Sequence, residues 1–177
     1  NLWADTVKAT SSLKNLSYKF LGIEEPITAN QYEVLDKIGE ELDTPIILDE
    51  SFLRMNQFQK IGDNPARWII NVRVSKMGGL TRSIQICKEA QKRNIPIIIG
   101  AQVGETSILT RAALALANAF RDHLIAQEGA FGTYLLEKDI TQPSIRFGKG
   151  GIVKATSVID KDNYGFGLSI KMPNGLS

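Results

Sequence analysis

The sequence predicts an α/β fold built from successive βα units, and three observations carry that prediction. Short apolar runs recur at residues 21–24, 45–49, 68–73 and 95–100, and the first three end in a charged side chain. Helical patterns lie between the runs, as buried parallel strands alternating with covering helices require. The charged ends are evenly spaced: Glu24 and Asp49 are 25 positions apart and Arg73 follows 24 later, about one βα unit each time. A fifth, short run at residues 123–126 extends the series. Five such units make an incomplete parallel barrel or an open α/β sheet.

The helices carry their own signals. Asn30 with Glu33 three residues later is a capping-box pattern, and Thr81 and Thr106 are placed to cap the next two helices. Ile84, Cys87 and Ala90 recur at helical spacing and the pattern stops near Asn94. Ile108, Leu109, Ala112, Ala113, Leu116 and Ala117 form a face whose small residues let a helix lie close to strands. Beyond Phe131 the pattern becomes glycine-rich, through Gly148-Lys149-Gly150-Gly151 and Tyr164-Gly165-Phe166-Gly167, and reads as loops and short strands.

Composition narrows the function classes. With 177 residues, 43% hydrophobic and 23% charged, the chain suits one soluble globular unit. Its 21 basic and 19 acidic side chains, a formal +2, give no reason to expect a nucleic-acid or anionic-membrane partner. Cys87 is the sole cysteine, so no intrachain disulfide forms, and a reducing cytoplasmic location is the expectation. No apolar run approaches the roughly 20 residues of a membrane span.

In parallel βα architectures the carboxyl ends of the strands converge on one face, where ligands bind. Glu24, Asp49 and Arg73 all hold that position. Two carboxylates there suit a hard cation such as Mg²⁺, which prefers oxygen ligands. The competing reading makes Glu-Glu-Pro and Asp-Glu-Ser turns that lead into helices, where acids favour the coming N-terminus. Gly78-Gly79 fits a tight strand-to-helix turn better than a phosphate cradle, and Gly148 to Gly151 lacks the spacing of a phosphate loop. His123, the only histidine, has no second nitrogen ligand to join and reads as a helix-end or packing residue. Glu50 reads as a hydrogen-bonding neighbour of Asp49 or a surface acid.

The motifs Gly22-Ile23-Glu24-Glu25-Pro26, Ile47-Leu48-Asp49-Glu50-Ser51 and Ile70-Asn71-Val72-Arg73-Val74-Ser75-Lys76-Met77-Gly78-Gly79 resemble strands four, five and six of the enolase superfamily, in order and in register. The likeness continues at Gly104-Glu105-Thr106-Ser107-Ile108 and over residues 128–136, the seventh and eighth strands. It implies a partial (β/α)8 TIM-type barrel, strands four to eight of an enolase-like (β/α)7β barrel. Residues 1–142 would be the barrel portion, and residues 143–177 an extension that packs against an N-terminal capping domain. Glu24 and Asp49 correspond to two of the family's three metal ligands, for Mg²⁺ or Mn²⁺. The opening Asn1-Leu2-Trp3 resembles the residues just after the third ligand in the pattern Asp-x-Asn-x-x-Trp, which puts that acid two positions before Asn1. With the second-strand lysine base and the capping domain also lacking, the chain reads as a fragment. By itself it is expected to be inactive and to expose sheet edges, with the missing N-terminal part or another copy of the chain as partner.

Arg73 departs from the pattern. The muconate-lactonizing branch, which the chain resembles most, has lysine there. Arginine is a poor base but holds a carboxylate or an enolate well. Lys76 lies at an odd offset that reverses its face if the strand continues, so it is not taken as a substitute. The mandelate-racemase branch would place aspartate at 73 and a histidine at the seventh strand, and neither is present. Glu128 best matches the eighth-strand acid. The resemblance implies a parent enzyme that abstracts the α-proton of a small-molecule carboxylate to give a metal-stabilised enediolate, followed by racemization or epimerization, cycloisomerization, or elimination as in a dehydratase. One-base chemistry suits Arg73 better than two-base racemization. The alternatives are a non-catalytic barrel that binds or scaffolds, and a barrel that takes a phosphorylated ligand at Gly78-Gly79.

Overall fold

Strands β1 (Ile23–Glu24), β2 (Ile46–Leu48), β3 (Trp68–Val72), β4 (Ile97–Ile99) and β5 (Leu124–Gln127) form one sheet in sequence order. The structure is a computed structural model that describes residues 6–153 and 164–171. The Asn1-Leu2-Trp3 pattern lies outside them. β1, β2 and β3 pair in parallel, with Ile23, Ile46 and Trp68 in one register row. Sequence order with parallel pairing is the pattern of a barrel wall, in which every crossover returns the chain to the next position. Strand β3 is buried along its whole length, which is why it reads as a continuous apolar run.

The crossovers are α2 (Tyr32–Glu41), α3 (Leu80–Lys92) and α4 (Ser107–Ala119), with α1 (Thr6–Lys14) ahead of β1. Between β2 and β3 the chain makes 3-10 turns at Met55–Gln59 and Pro65–Arg67. In the first, Gln57 Oε1 accepts from the Leu53 and Arg54 amides at 2.6 and 2.7 Å, and Phe58 packs edge-on against Phe52.

The capping expectations are corrected. Gln31, not Asn30, precedes α2, and its side chain makes no capping hydrogen bond. Asn30 adopts a positive φ of 68° and its amide donates to Ser51 Oγ at 2.7 Å, so a tertiary partner displaces the local cap. Thr81 lies inside α3. Thr106 occupies the N-cap of α4 without a side-chain bond. Asp139 caps that helix instead, accepting from the Ser107 amide at 3.0 Å and from its hydroxyl.

Contacts group the chain into two compact units, Asn1–Val72 with Ile84–Ile98, and Arg73–Ser83 with Ile99–Ser177. In the first, Leu35, Ile38, Leu48, Phe52, Trp68, Ile70 and Ile97 are fully buried. Cys87 joins that core, and burial pushes its thiol up to about 12, so it packs as a neutral apolar group.

The second unit is built on the buried face of α4, where Ala112, Ala113, Leu116 and Ala117 recur as the spacing predicts. The tail adds a short antiparallel pair, β6 (Thr141–Gln142) with β7 (Ser169–Ile170). The short helix α5 (Gly132–Leu135) begins where no side chain fits: a Cβ at Gly132 would lie 2.3 Å from the Glu105 carbonyl oxygen. Gly132→Ala is therefore expected to destabilise the protein by roughly 1–3 kcal/mol, the usual cost of overpacking. A urea midpoint unchanged from the parent would contradict that contact. Among the described residues no helix is long and apolar enough to cross a membrane.

Candidate active site

The first unit places its acids at the ends of β1 and β2. Glu24 is the last residue of β1, in register with Ile47, and is exposed. Asp49 directly follows β2 and is 3% exposed. A Cβ added at Gly22 would meet both Ile47 and Ile69 at 2.9 Å, so these three positions share one face of the sheet. Strand alternation carries the same face forward to Glu24 and Asp49.

Glu25 points to the other face and is buried. Its Oε1 accepts from the Asp49 amide at 2.8 Å and from the Ser51 amide at 2.7 Å. Its own amide donates to the Ile47 carbonyl at 3.2 Å, extending the ladder past β1. The second acid of Glu-Glu-Pro thus pins the turn that carries Asp49, while the first closes the strand on the opposite face. Glu50 is exposed.

In the second unit, Arg73 is the residue after β3, and its carbonyl accepts from the Met77 amide at 3.0 Å. The chain turns at once. The Gly79 amide donates to the Val74 carbonyl at 2.9 Å, and Gly78 and Gly79 take φ of 83° and 105°, which side-chain-bearing residues rarely adopt. The two glycines therefore form the tight turn into α3. The face reversal expected of Lys76 assumed a continuing strand, and the strand ends at Val72, so that argument does not apply. Arg73 lines a crevice with Gln102 and Glu105 that has no room for a water molecule. Glu105 is itself held, accepting from the Gln102 amide at 3.0 Å and the Thr110 hydroxyl at 2.9 Å.

Glu128 directly follows β5. Its Oε2 accepts from the Ala101 amide at 2.9 Å and its amide donates to the Ile99 carbonyl. It braces the backbone beyond β4 much as Glu25 braces the backbone beyond β2. His123 sits half-buried just past α4, its amide donating to the Phe120 carbonyl.

The enolase C-terminal domain-like family profile matches residues 2–173. The chain belongs to this family. The L-amino acid-D/L-Glu epimerase of Sulfurimonas denitrificans is 31% identical to this enolase-like chain over 119 residues, covering 67% of the chain and 34% of the relative. The o-succinylbenzoate synthase of Bacillus subtilis is 28% identical over 147 residues, covering 82% and 39%. A dipeptide epimerase from Cytophaga hutchinsonii, solved with Mg and the dipeptide D-Ala-L-Val, superposes with a TM-score of 0.75 at 24% identity, covering 87% of this chain and 41% of that one. The enolase-like chain thus spans about a third to two fifths of the length of these proteins, and the partial-barrel expectation holds.

A divalent cation is what the family implies, and the donor set can be tested against it. Glu24 and Asp49 supply hard carboxylate oxygens on one face of neighbouring paired strands, with Asp49 buried and its backbone fixed. These fit part of an oxygen shell. Among the described residues no group of three or more His, Cys, Asp or Glu side chains is arranged to hold a metal. Sequence reasoning missed Glu25, although the doubled acid was its signal: adjacent strand residues face opposite sides, so two neighbouring acids cannot serve one site equally.

Proposed function

We propose that the intact protein is a divalent-metal-dependent enzyme that removes the proton α to the carboxylate of a small acid, with dipeptides as the first substrates to test. The observation that carries this reading is the pair Glu24 and Asp49 on one face of neighbouring strands, one exposed and one buried, with Glu25 pinning the turn that carries Asp49. The substrate class is suggested by the relatives, two of which are named as an L-amino acid-D/L-Glu epimerase and a dipeptide epimerase and a third as an o-succinylbenzoate synthase.

When bound, the cation would be Mg²⁺ or Mn²⁺ and would supply positive charge that offsets the negative charge growing on the substrate carboxylate. Glu24 and Asp49 would hold it. Arg73 serves as a fixed positive group that orients the substrate or stabilises the enolate. Glu128 contributes from the end of β5. With arginine in place of a base, proton transfer runs from one side, which favours elimination or cycloisomerization over racemization. Residues 143–177, of which 143–153 and 164–171 are described, would be the extension that meets a capping domain.

The test is exchange of the α-hydrogen in D₂O, followed by proton NMR on the intact protein with a library of carboxylates. Exchange is expected with Mg²⁺ and not with chelator. Glu24→Gln and Asp49→Asn are each expected to slow it about 10²–10⁴-fold, the equivalent of several kcal/mol of lost charge stabilisation. No exchange with any carboxylate would favour the non-catalytic barrel.

A further inference from the structure

β3 reads Trp-Ile-Ile-Asn-Val, and all five residues are buried. Asn71 is the polar exception. It is 1% exposed, and neither Oδ1 nor Nδ2 of its carboxamide has a hydrogen-bond partner among the described residues. A buried amide left unpaired costs free energy, so such a group in a folded protein points to strain, an ordered water or a ligand.

Its place on the sheet favours the ligand. Ile69 shares the face of Gly22 and Ile47, and alternation puts Asn71 on that face with Glu24 and Asp49. The register row after Leu48 and Ile70 sets Asn71 level with Asp49 on the neighbouring strand, about 4.8 Å away. Trp68 gives a contrast. Its indole Nε1 is also buried without a partner among the described residues, but it lies an odd number of positions from Asn71, which puts it on the opposite face.

We propose that Asn71 is a positioning residue of the cation site, its carboxamide hydrogen-bonding the oxygen ligands around a divalent cation held by Glu24 and Asp49. The inference rests on the cation site proposed above. The carboxamide suits this role because Nδ2 donates to a carboxylate oxygen, Oδ1 accepts from a bound water, and no charge is added beside two carboxylates. Such outer partners orient the ligands, and losing one typically weakens metal binding about 10–100-fold.

The test titrates the intact protein with Mn²⁺, read by calorimetry and by electron paramagnetic resonance, and records the metal-free melting temperature. Asn71→Leu removes the amide at similar volume. Its metal-free melting temperature is expected to hold or rise, because an unpartnered polar group is replaced by an apolar one. Its Mn²⁺ dissociation constant is expected to rise about 10–100-fold. Asn71→Asp keeps the shape, adds an anionic oxygen and is expected to bind Mn²⁺ more tightly. A lower melting temperature in the leucine variant with Mn²⁺ affinity unchanged in both variants would assign the amide to the core and overturn the proposal. Unchanged Mn²⁺ affinity in Glu24→Gln and Asp49→Asn would instead remove the cation site itself, and the role of Asn71 with it.

Discussion

Glu25→Ala is expected to destabilise the intact protein by about 2–6 kcal/mol, since it strips the acceptor from two buried backbone amides at about 1–3 kcal/mol each. The amides are those of Asp49 and Ser51, bonded to one carboxylate oxygen at 2.8 and 2.7 Å. Glu25 is 3% exposed and Ser51 is fully buried, so water does not readily replace the lost bonds. Ser51 also accepts from the Asn30 amide, which leads into α2, so the disturbance spreads along that turn. Glu25→Gln keeps an acceptor oxygen in place and is expected to cost less than half as much. Urea unfolding of the three proteins measures both values. A loss below about 1 kcal/mol in the alanine variant would show that the clamp does not hold the turn. Because the clamp carries Asp49, metal affinity in Glu25→Ala is expected to fall even where the protein stays folded.

The barrel units were legible because their determinants are local and periodic. A parallel strand covered on both sides must be apolar throughout, so runs such as residues 68–73 stand out, and the crossover length fixes the interval between strand ends. Glu24 and Asp49 were legible as the residues that close those runs. What escaped depends on partners far along the chain. Asn30 looked like a cap until Ser51, 21 residues away, took its amide. Glu25 looked like half of a doubled acid, and its role exists only because β2 ends beside it, 24 residues later. Ser107 is capped by Asp139 from 32 residues away, which left the local candidate Thr106 without a side-chain bond. Asn71 was visible as a polar residue in an apolar run, but an absent partner leaves no trace in composition or period. Local pattern thus reports which residues are buried and where strands end, whereas polar side chains are assigned by non-local contacts that only the fold creates.

For the proposed reaction, Arg73→Lys is expected to change the product. The arginine stands where the branch of the family that the chain resembles carries a lysine, at the first position past β3, held by the Met77 amide on its carbonyl and by the turn at Gly78-Gly79. That anchoring belongs to the backbone, so the substitution keeps the side chain's point of departure. A guanidinium does not give up its proton in a protein, whereas an amine becomes a base once burial or a neighbouring cation lowers its proton affinity. A positioned base contributes about 10²–10⁴-fold to proton transfer. In the parent, deuterium from D₂O is therefore expected to enter an α-chiral substrate with its configuration retained. In Arg73→Lys the mirror-image product is expected to accumulate faster by about that factor, with a rate that rises with pH as the amine deprotonates. Chiral chromatography beside the NMR exchange assay separates the two results. Equal rates of racemization in the parent and in Arg73→Lys would show that the group past β3 does not reach the α-proton, and one-sided chemistry would then need another cause. Arg73→Met tests the charge alone. It is expected to slow exchange without altering the configuration of the product, because it removes the positive group and supplies no base.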